Sequence, residues 1–196
     1  MRLRRSDALL IVVCLAQFMV ILDVSIVNVA LPSIRTALHF SENNLQWVVS
    51  AYTITFAGFL MLGGRAGDLL GRKRMFLIGV TLFSLASLLG ALATSSALLV
   101  AARGLQGLGG AIVAPATLSI IKTTFPEGPE RNRALGFWGA VAAAGGSAGA
   151  LFGGVLTETL SWRWILLVNV PIGAVLIPLA LRYITESRGH LTQRHF

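Results

Sequence analysis

The fold class predicted by the sequence is all-α: a polytopic membrane protein built as a six-transmembrane-helix bundle. Three observations predict it. Of the 196 residues, 55% are hydrophobic and only 12% are charged, about half the charge of a soluble domain. Most of the charge falls between apolar blocks long enough to cross a hydrocarbon core of ~30 Å. Finally, the short stretch Gly64–Arg74 carries Arg65, Arg72, Lys73 and Arg74 with one acid, Asp68, between two long uncharged segments. Loops dense in Arg and Lys stay on the cytoplasmic side.

The elements follow in order. A basic amino-terminal segment, residues 1–7, leads into a first helix over 8–30, interrupted by Asp23 and stopped by Pro32. Its length and the lack of a small-residue cleavage site favour a retained helix over a cleaved signal peptide. A polar loop follows, then a second helix over 45–64 with Trp47 at the depth where aromatic residues anchor helices. The charged turn comes next, and a third helix over 75–93. The uncharged block continues to Ala102, and Ala93–Ala97 is its most polar place to break. A fourth helix over 97–121 contains Arg103, Gln106 and Pro115, and a loop with Pro126 and Pro129 separates it from a fifth over 134–156. Trp162 and Trp164 read as interface anchors at the mouth of a sixth helix over 164–181, with Arg163 between them at the headgroups. The bundle thus spans 8–184, and 185–196 form a polar tail.

Alternation of the spans sorts the bases. Arg2, Arg4, Arg5, Arg65, Arg72, Lys73, Arg74, Lys122, Arg131, Arg133, Arg182, Arg188 and Arg194 fall on one side, and only Arg35 and Arg163 on the other. This asymmetry predicts that both termini are cytoplasmic.

Several function classes drop out. The net charge of +8 is explained by topology, without the aromatic–basic interleaving of a nucleic-acid surface. Nothing has the spacing of a catalytic triad or a Cys/His metal site, so no enzyme activity, metal or cofactor is expected. The single cysteine, Cys14, reads as a small buried apolar residue. The glycine-rich stretches lack the Gly-Lys-Ser/Thr of a phosphate loop.

Two charges lie within helices, Asp23 and Arg103. Intramembrane charges face a cavity or a partner, and counting from the opposite helix ends puts both ~10 Å below the outer boundary. They are expected to pair or to share a cavity, either as a fixed structural ion pair or as functional groups. Gln106 is one turn from Arg103 on the same face. Asn28 lies off the face of Asp23 and reads as a local hydrogen-bonding group. The fifth helix carries Gly145, Gly149, Gly153 and Gly154, whose spacing predicts a flat ridge for close helix packing. Asp68 is expected to pair with a base in its turn or to cap a neighbouring helix.

These motifs together resemble a known family. The stretch Gly64–Arg74 is similar to the loop signature between helices two and three of the major facilitator superfamily, with Gly64, Asp68, Gly71, Arg72 and Lys73 in matching places. Leu22–Pro32 resembles the first-helix signature of its fourteen-helix drug:proton antiporters, and Arg103–Ala111 the fourth-helix motif associated with proton coupling. The fifth helix resembles the antiporter motif, with Ala150 where that motif has proline, and Ser161–Trp164 with Asn169 and Pro171 resembles the sixth helix. The likeness runs from about Leu10 to Ser187 and corresponds to the amino-terminal six-helix half.

The resemblance implies proton-coupled efflux of small lipophilic or cationic compounds across a bacterial inner membrane, with protons and lipid as partners. It also implies a second half-transporter or a second copy, and assigns Asp23, Arg103 and Gln106 to proton coupling or substrate recognition. The alternative is a non-transporting membrane protein, either a truncated remnant or a fragment that binds other membrane proteins through Gly145 and Gly149.

Overall fold

The computed structural model describes residues 4–187; Arg2 and the tail from Arg188 onward lie outside them. Eight helices make up the described chain: α1 (Arg5–Leu38), α2 (Glu42–Leu45), α3 (Trp47–Leu70), α4 (Arg72–Ala91), α5 (Ser96–Thr124), α6 (Pro129–Thr159), α7 (Trp164–Leu167) and α8 (Asn169–Tyr183). Joined across their short breaks, α2 with α3 and α7 with α8, they give six segments long and apolar enough to span a bilayer.

The helices run further than the sequence suggested. Pro32 lies inside α1, which continues to Leu38. Proline removes one backbone donor, but burial of Ile34 rewards another turn of helix. The charged turn is much shorter than Gly64–Arg74. α3 continues to Leu70 and α4 begins at Arg72, so Gly71 alone forms the corner. Its φ of +108° is a conformation open to glycine and costly for other residues. A Cβ there would also stand 2.5 Å from a carboxylate oxygen of Glu186, so a substitution would push that side chain aside.

Two triplets of spans pack on each other with exchanged partners. α1 lies along α6, the second span of the later triplet, and α5 lies along α3, the second span of the earlier one. α5 also packs along α4, and α8 rests on α4 and α1. Small residues permit these approaches. On the seam between α6 and α1, a Cβ added to Gly149 would come within 2.9 Å of Leu22 O and Ile26 N, and one on Gly145 within 3.1 Å of Phe18 O. Gly153 faces Val29 and Ile26 in the same row.

Gly154, expected in that ridge, does not belong to it. It lies one position, about 100° around the helix, from Gly153, and a Cβ there would meet nothing within 4 Å. The row formed by Gly145 and Gly149 is filled by α1, which removes the surface on which an external partner was expected to dock.

At the α7 end two expectations give way. Trp162 is buried at 5% exposure while Trp164 is 48% exposed, so only the latter faces outward. Arg163 does not simply reach toward headgroups. One of its terminal nitrogens donates to Ala91 O at 2.8 Å and Ala93 O at 2.7 Å, closing the carbonyl end of α4, and its guanidinium covers the Trp162 ring at 4.6 Å.

At the opposite end, the segment after α8 returns to the start of α4. The Glu186 carboxylate accepts from the backbone N–H of Lys73 and of Arg74, both at 3.2 Å. Ser187 O accepts from Arg72 N at 3.0 Å, and Lys73 Nζ donates to Leu181 O at 2.8 Å. An acid at a helix amino terminus satisfies otherwise orphaned donors and complements the helix dipole.

Two apolar clusters fill the bundle. One gathers Val12, Met19, Phe76, Phe83, Val113 and Leu176, and the other Ile26, Ile34, Val48, Leu99, Trp162 and Ile165. In α1, α4, α5 and the α7–α8 segment alike, the sequence passes from one cluster to the other across a polar residue: Asp23, Ser87, Arg103 with Gln106, and Asn169.

Candidate functional site

Those polar residues meet. Asp23, Ser87, Arg103, Gln106 and Asn169 are all buried, none more than 2% exposed, and together they form a hydrogen-bonded layer between the two apolar clusters. Each position follows from its helix. Arg103 and Gln106 are three apart and share a face of α5. Gly107 and Gly109 continue beside that face. A Cβ on Gly107 would collide with Tyr52 O and the Thr55 side chain, and one on Gly109 would stand 2.7 Å from Phe83 N. The absent side chains let α3 and α4 close on α5, bringing Val48, Tyr52 and Ser87 within reach.

Asp23 is the centre of the layer. Arg103 donates to its Oδ2 at 2.5 Å; Gln106 and Asn169 donate to its Oδ1 at 2.6 and 2.9 Å. A buried carboxylate needs such a set of donors to offset its lost hydration. Arg103 has other supports. Its Nε donates to Val48 O at 3.1 Å, the same terminal nitrogen that reaches Asp23 donates to Gln106 Oε1 at 2.7 Å, and the guanidinium lies 4.4 Å from the centre of the Tyr52 ring. The cation is thus held by α3 as well as by α1.

Ser87 joins the remaining elements. Its hydroxyl donates to Leu166 O at 2.8 Å and accepts from Gln106 at 3.2 Å and Asn169 at 3.0 Å. Donation to Leu166 O takes up a carbonyl at the α7–α8 break. Among the described residues, Asn169 Oδ1 and the Tyr52 hydroxyl are buried without a partner, so the layer holds two polar atoms still able to accept or donate.

The three intramembrane residues singled out from sequence are therefore in one place. Asn28 is outside it, exposed and donating to Val24 O of its own helix at 2.7 Å. The loop set is elsewhere. Ser87 is fifteen positions along α4 from Arg72, about 22 Å of helix. Asp68 accepts from Arg72 at 3.1 Å, one turn away across the Gly71 corner, while Gly64 packs toward Pro115. Among the described residues, no group of three or more His, Cys, Asp or Glu side chains could hold a metal.

Sequence reasoning did not single out Ser87 and Tyr52 as members of the site, and noted Asn169 only as part of a motif. A polar amide inside an apolar span was the available signal for Asn169. Ser87 and Tyr52 gave none, because serine hydroxyls in helices commonly bond to their own backbone.

Comparison with known proteins decides the family. Residues 13–194 match the Major Facilitator Superfamily. The chain belongs to the Major Facilitator Superfamily. It is 51% identical over 179 residues to the cephamycin export protein CmcT of Amycolatopsis lactamdurans, covering 91% of this chain and 37% of that protein. It is 48% identical to the puromycin resistance protein of Streptomyces alboniger, covering 91% of this chain and 35% of that one. The chain thus spans little more than a third of the length of these relatives. The proton:xylose symporter XylE shares the fold, with a TM-score of 0.82 at 17% identity over 93% of this chain and 45% of that one. As a Major Facilitator chain with six apolar spans, it is a multi-pass membrane protein.

Proposed function

We propose that the chain forms one wall of a proton-driven exporter of small lipophilic or cationic compounds, with Asp23, Arg103 and Gln106 as its proton-responsive element. One observation carries the reading: Asp23, wholly buried, is held by donors from two other helices, one of them a buried guanidinium. A proton arriving at Asp23 removes the charge that ties Arg103 to α1. Arg103 keeps Val48 O, Gln106 Oε1 and the Tyr52 ring, so the cation retains a resting place on α3 and α5. The link from α1 to α5 is then weakened while α5 stays in register with α3. Two packings of this kind are what alternating access between bundles requires.

The activities of the relatives, cephamycin export and puromycin resistance, support export as the direction. The exporter works with a second six-helix bundle, supplied by further chain, a separate half or another copy, because a central cavity needs two walls. The Gly71 end faces the cytoplasm of a bacterial inner membrane. Among the described residues it holds Arg4, Arg5, Arg65, Arg72, Lys73, Arg74, Lys122, Arg131, Arg133 and Arg182, against Arg35 and Arg163 at the other end. Neither catalysis nor a cofactor enters this reading.

The test is efflux from inverted vesicles under an imposed pH gradient, using the assembled transporter. Asp23→Asn is expected to abolish proton-driven efflux while leaving assembly intact. Wild-type efflux from an assembled Asp23→Asn protein would remove the coupling role from Asp23.

A further inference from the structure

Asn169 takes part in the buried layer with only half of its amide. Its Nδ2 donates to Asp23 Oδ1 at 2.9 Å and to Ser87 Oγ at 3.0 Å, while its Oδ1 is buried without a partner. The side chain belongs to the first residue of α8, directly after the break that separates α7 from α8 at Val168. Ser87 donates to Leu166 O, on the other side of that break, at 2.8 Å. Asp23 is thus joined to the break by two consecutive side chains, Asn169 and Ser87.

Protonation of Asp23 changes which of these bonds can be made. Among the described residues every partner of the carboxylate is a donor, Arg103 at Oδ2 and Gln106 with Asn169 at Oδ1. Oδ2 faces the guanidinium, so an incoming proton forms its O–H bond at Oδ1, and that hydroxyl needs an acceptor. Gln106 cannot supply one. Its Oε1 accepts from Arg103 at 2.7 Å, and a reversed amide would set Nε2 against the guanidinium. The Asn169 amide can turn, because nothing holds its Oδ1. Besides Arg103, the titratable side chain facing the carboxylate is Tyr52 of α3, behind the guanidinium. α4 and the α7–α8 segment present Ser87 and Asn169 to the layer, and α6 meets α1 through its glycine seam.

We propose that Asn169 reads the protonation state of Asp23 and passes it, through Ser87, to the backbone at the α7–α8 break. The inference rests on Asp23 as the proton-responsive group. With Asp23 neutral, the Asn169 amide turns over and its Oδ1 accepts from the new hydroxyl. The same oxygen then faces Ser87 Oγ where an N–H stood, and the serine hydrogen leaves Leu166 O to meet it. Ser87 keeps its proton, so the one O–H bond formed is that of Asp23, and otherwise only hydrogen bonds exchange. Leu166 O and the turned Nδ2 are left unpaired on the same stretch of chain, and buried unpaired groups favour opening there. Asn169 is a positioning residue in this scheme: it makes the start of the sixth span respond to a proton held on the first.

Hydrogen exchange of the full chain in detergent tests this, comparing mildly acidic with mildly alkaline buffer after correction for intrinsic exchange. The amides from Ile165 to Val170 are expected to exchange about two- to tenfold faster in acid, the loss of one hydrogen bond. Asn169→Leu cuts the relay and leaves Ser87 on Leu166 O, so the difference between buffers should vanish with exchange slow in both. Ser87→Ala frees Leu166 O at either pH, so exchange should be fast in both. An acid response that survives either variant would overturn the relay and make Asn169 a structural partner of Asp23 only. Absence of the response in the wild type would overturn it too, while loss of proton-driven efflux in Asp23→Asn would still support coupling at Asp23. A response that persists in Asp23→Asn would overturn the relay by placing the titrating group outside the layer.

Discussion

The Asp23 carboxylate accepts from three donors, and removing its charge tests two roles separately. Asp23→Asn leaves Arg103 without a counter-charge, and an unpaired buried charge costs about 3–5 kcal/mol. Arg103 still has Val48 O, Gln106 Oε1 and the Tyr52 ring. The expected loss in detergent melting experiments is therefore well under that range, and a loss reaching it would mark the pair as a structural clamp. Ser87→Ala is the contrasting case. It removes the acceptor shared by Gln106 and Asn169 and frees Leu166 O, so a loss of about 1–3 kcal/mol is expected. A melting temperature unchanged by Ser87→Ala would mean that the hydroxyl is dispensable to the layer. Asp23, Arg103 and Gln106 were legible because charge and amide stand out in apolar spans. Ser87 and Tyr52 were not, since their partners lie on α5 and α7–α8 and only packing brings them there.

Among the elements, the α6–α1 seam makes the sharpest distinction. Gly149→Val puts a side chain against the backbone of α1, which cannot turn aside as a rotamer can, and overpacking of this kind costs about 1–3 kcal/mol. Gly154→Val projects into open space and should melt like the wild type. Equal behaviour of the two variants in the same melt would contradict the observed seam. The spacing of four was visible in the sequence, but which glycines face α1 depends on the rotation of α6. Helix ends were less legible for a related reason. Pro32 carries a stop signal, yet the helix passes through it because Ile34 is buried beyond it. Trp162 and Arg163 look like interface residues until α4 is seen to end against them.

For the whole molecule, the distribution of bases sets a topology that reporters can read. Phosphatase fused after Arg74 should be inactive, and phosphatase fused after Ser41 active; the reverse pattern would invert the bundle. The six-span outline was legible because hydropathy reports length directly. The exchanged packing of the triplets was not, since it joins helices far apart in the chain. The Glu186 carboxylate draws a consequence from that separation. It caps α4 from 113 residues further along the chain, and chains grow at about 5–20 residues per second. The corner at Gly71 therefore remains unfinished for on the order of 6–20 s of synthesis, until the exit of α8 has been made. The first amides of α4 must find other partners during that interval, so the third span enters the membrane with a frayed beginning. Glu186→Ala should preserve that nascent condition in the finished protein. Hydrogen exchange would speed up at Lys73 and Arg74, with the amides around Ser87 and Arg103 as protected as before.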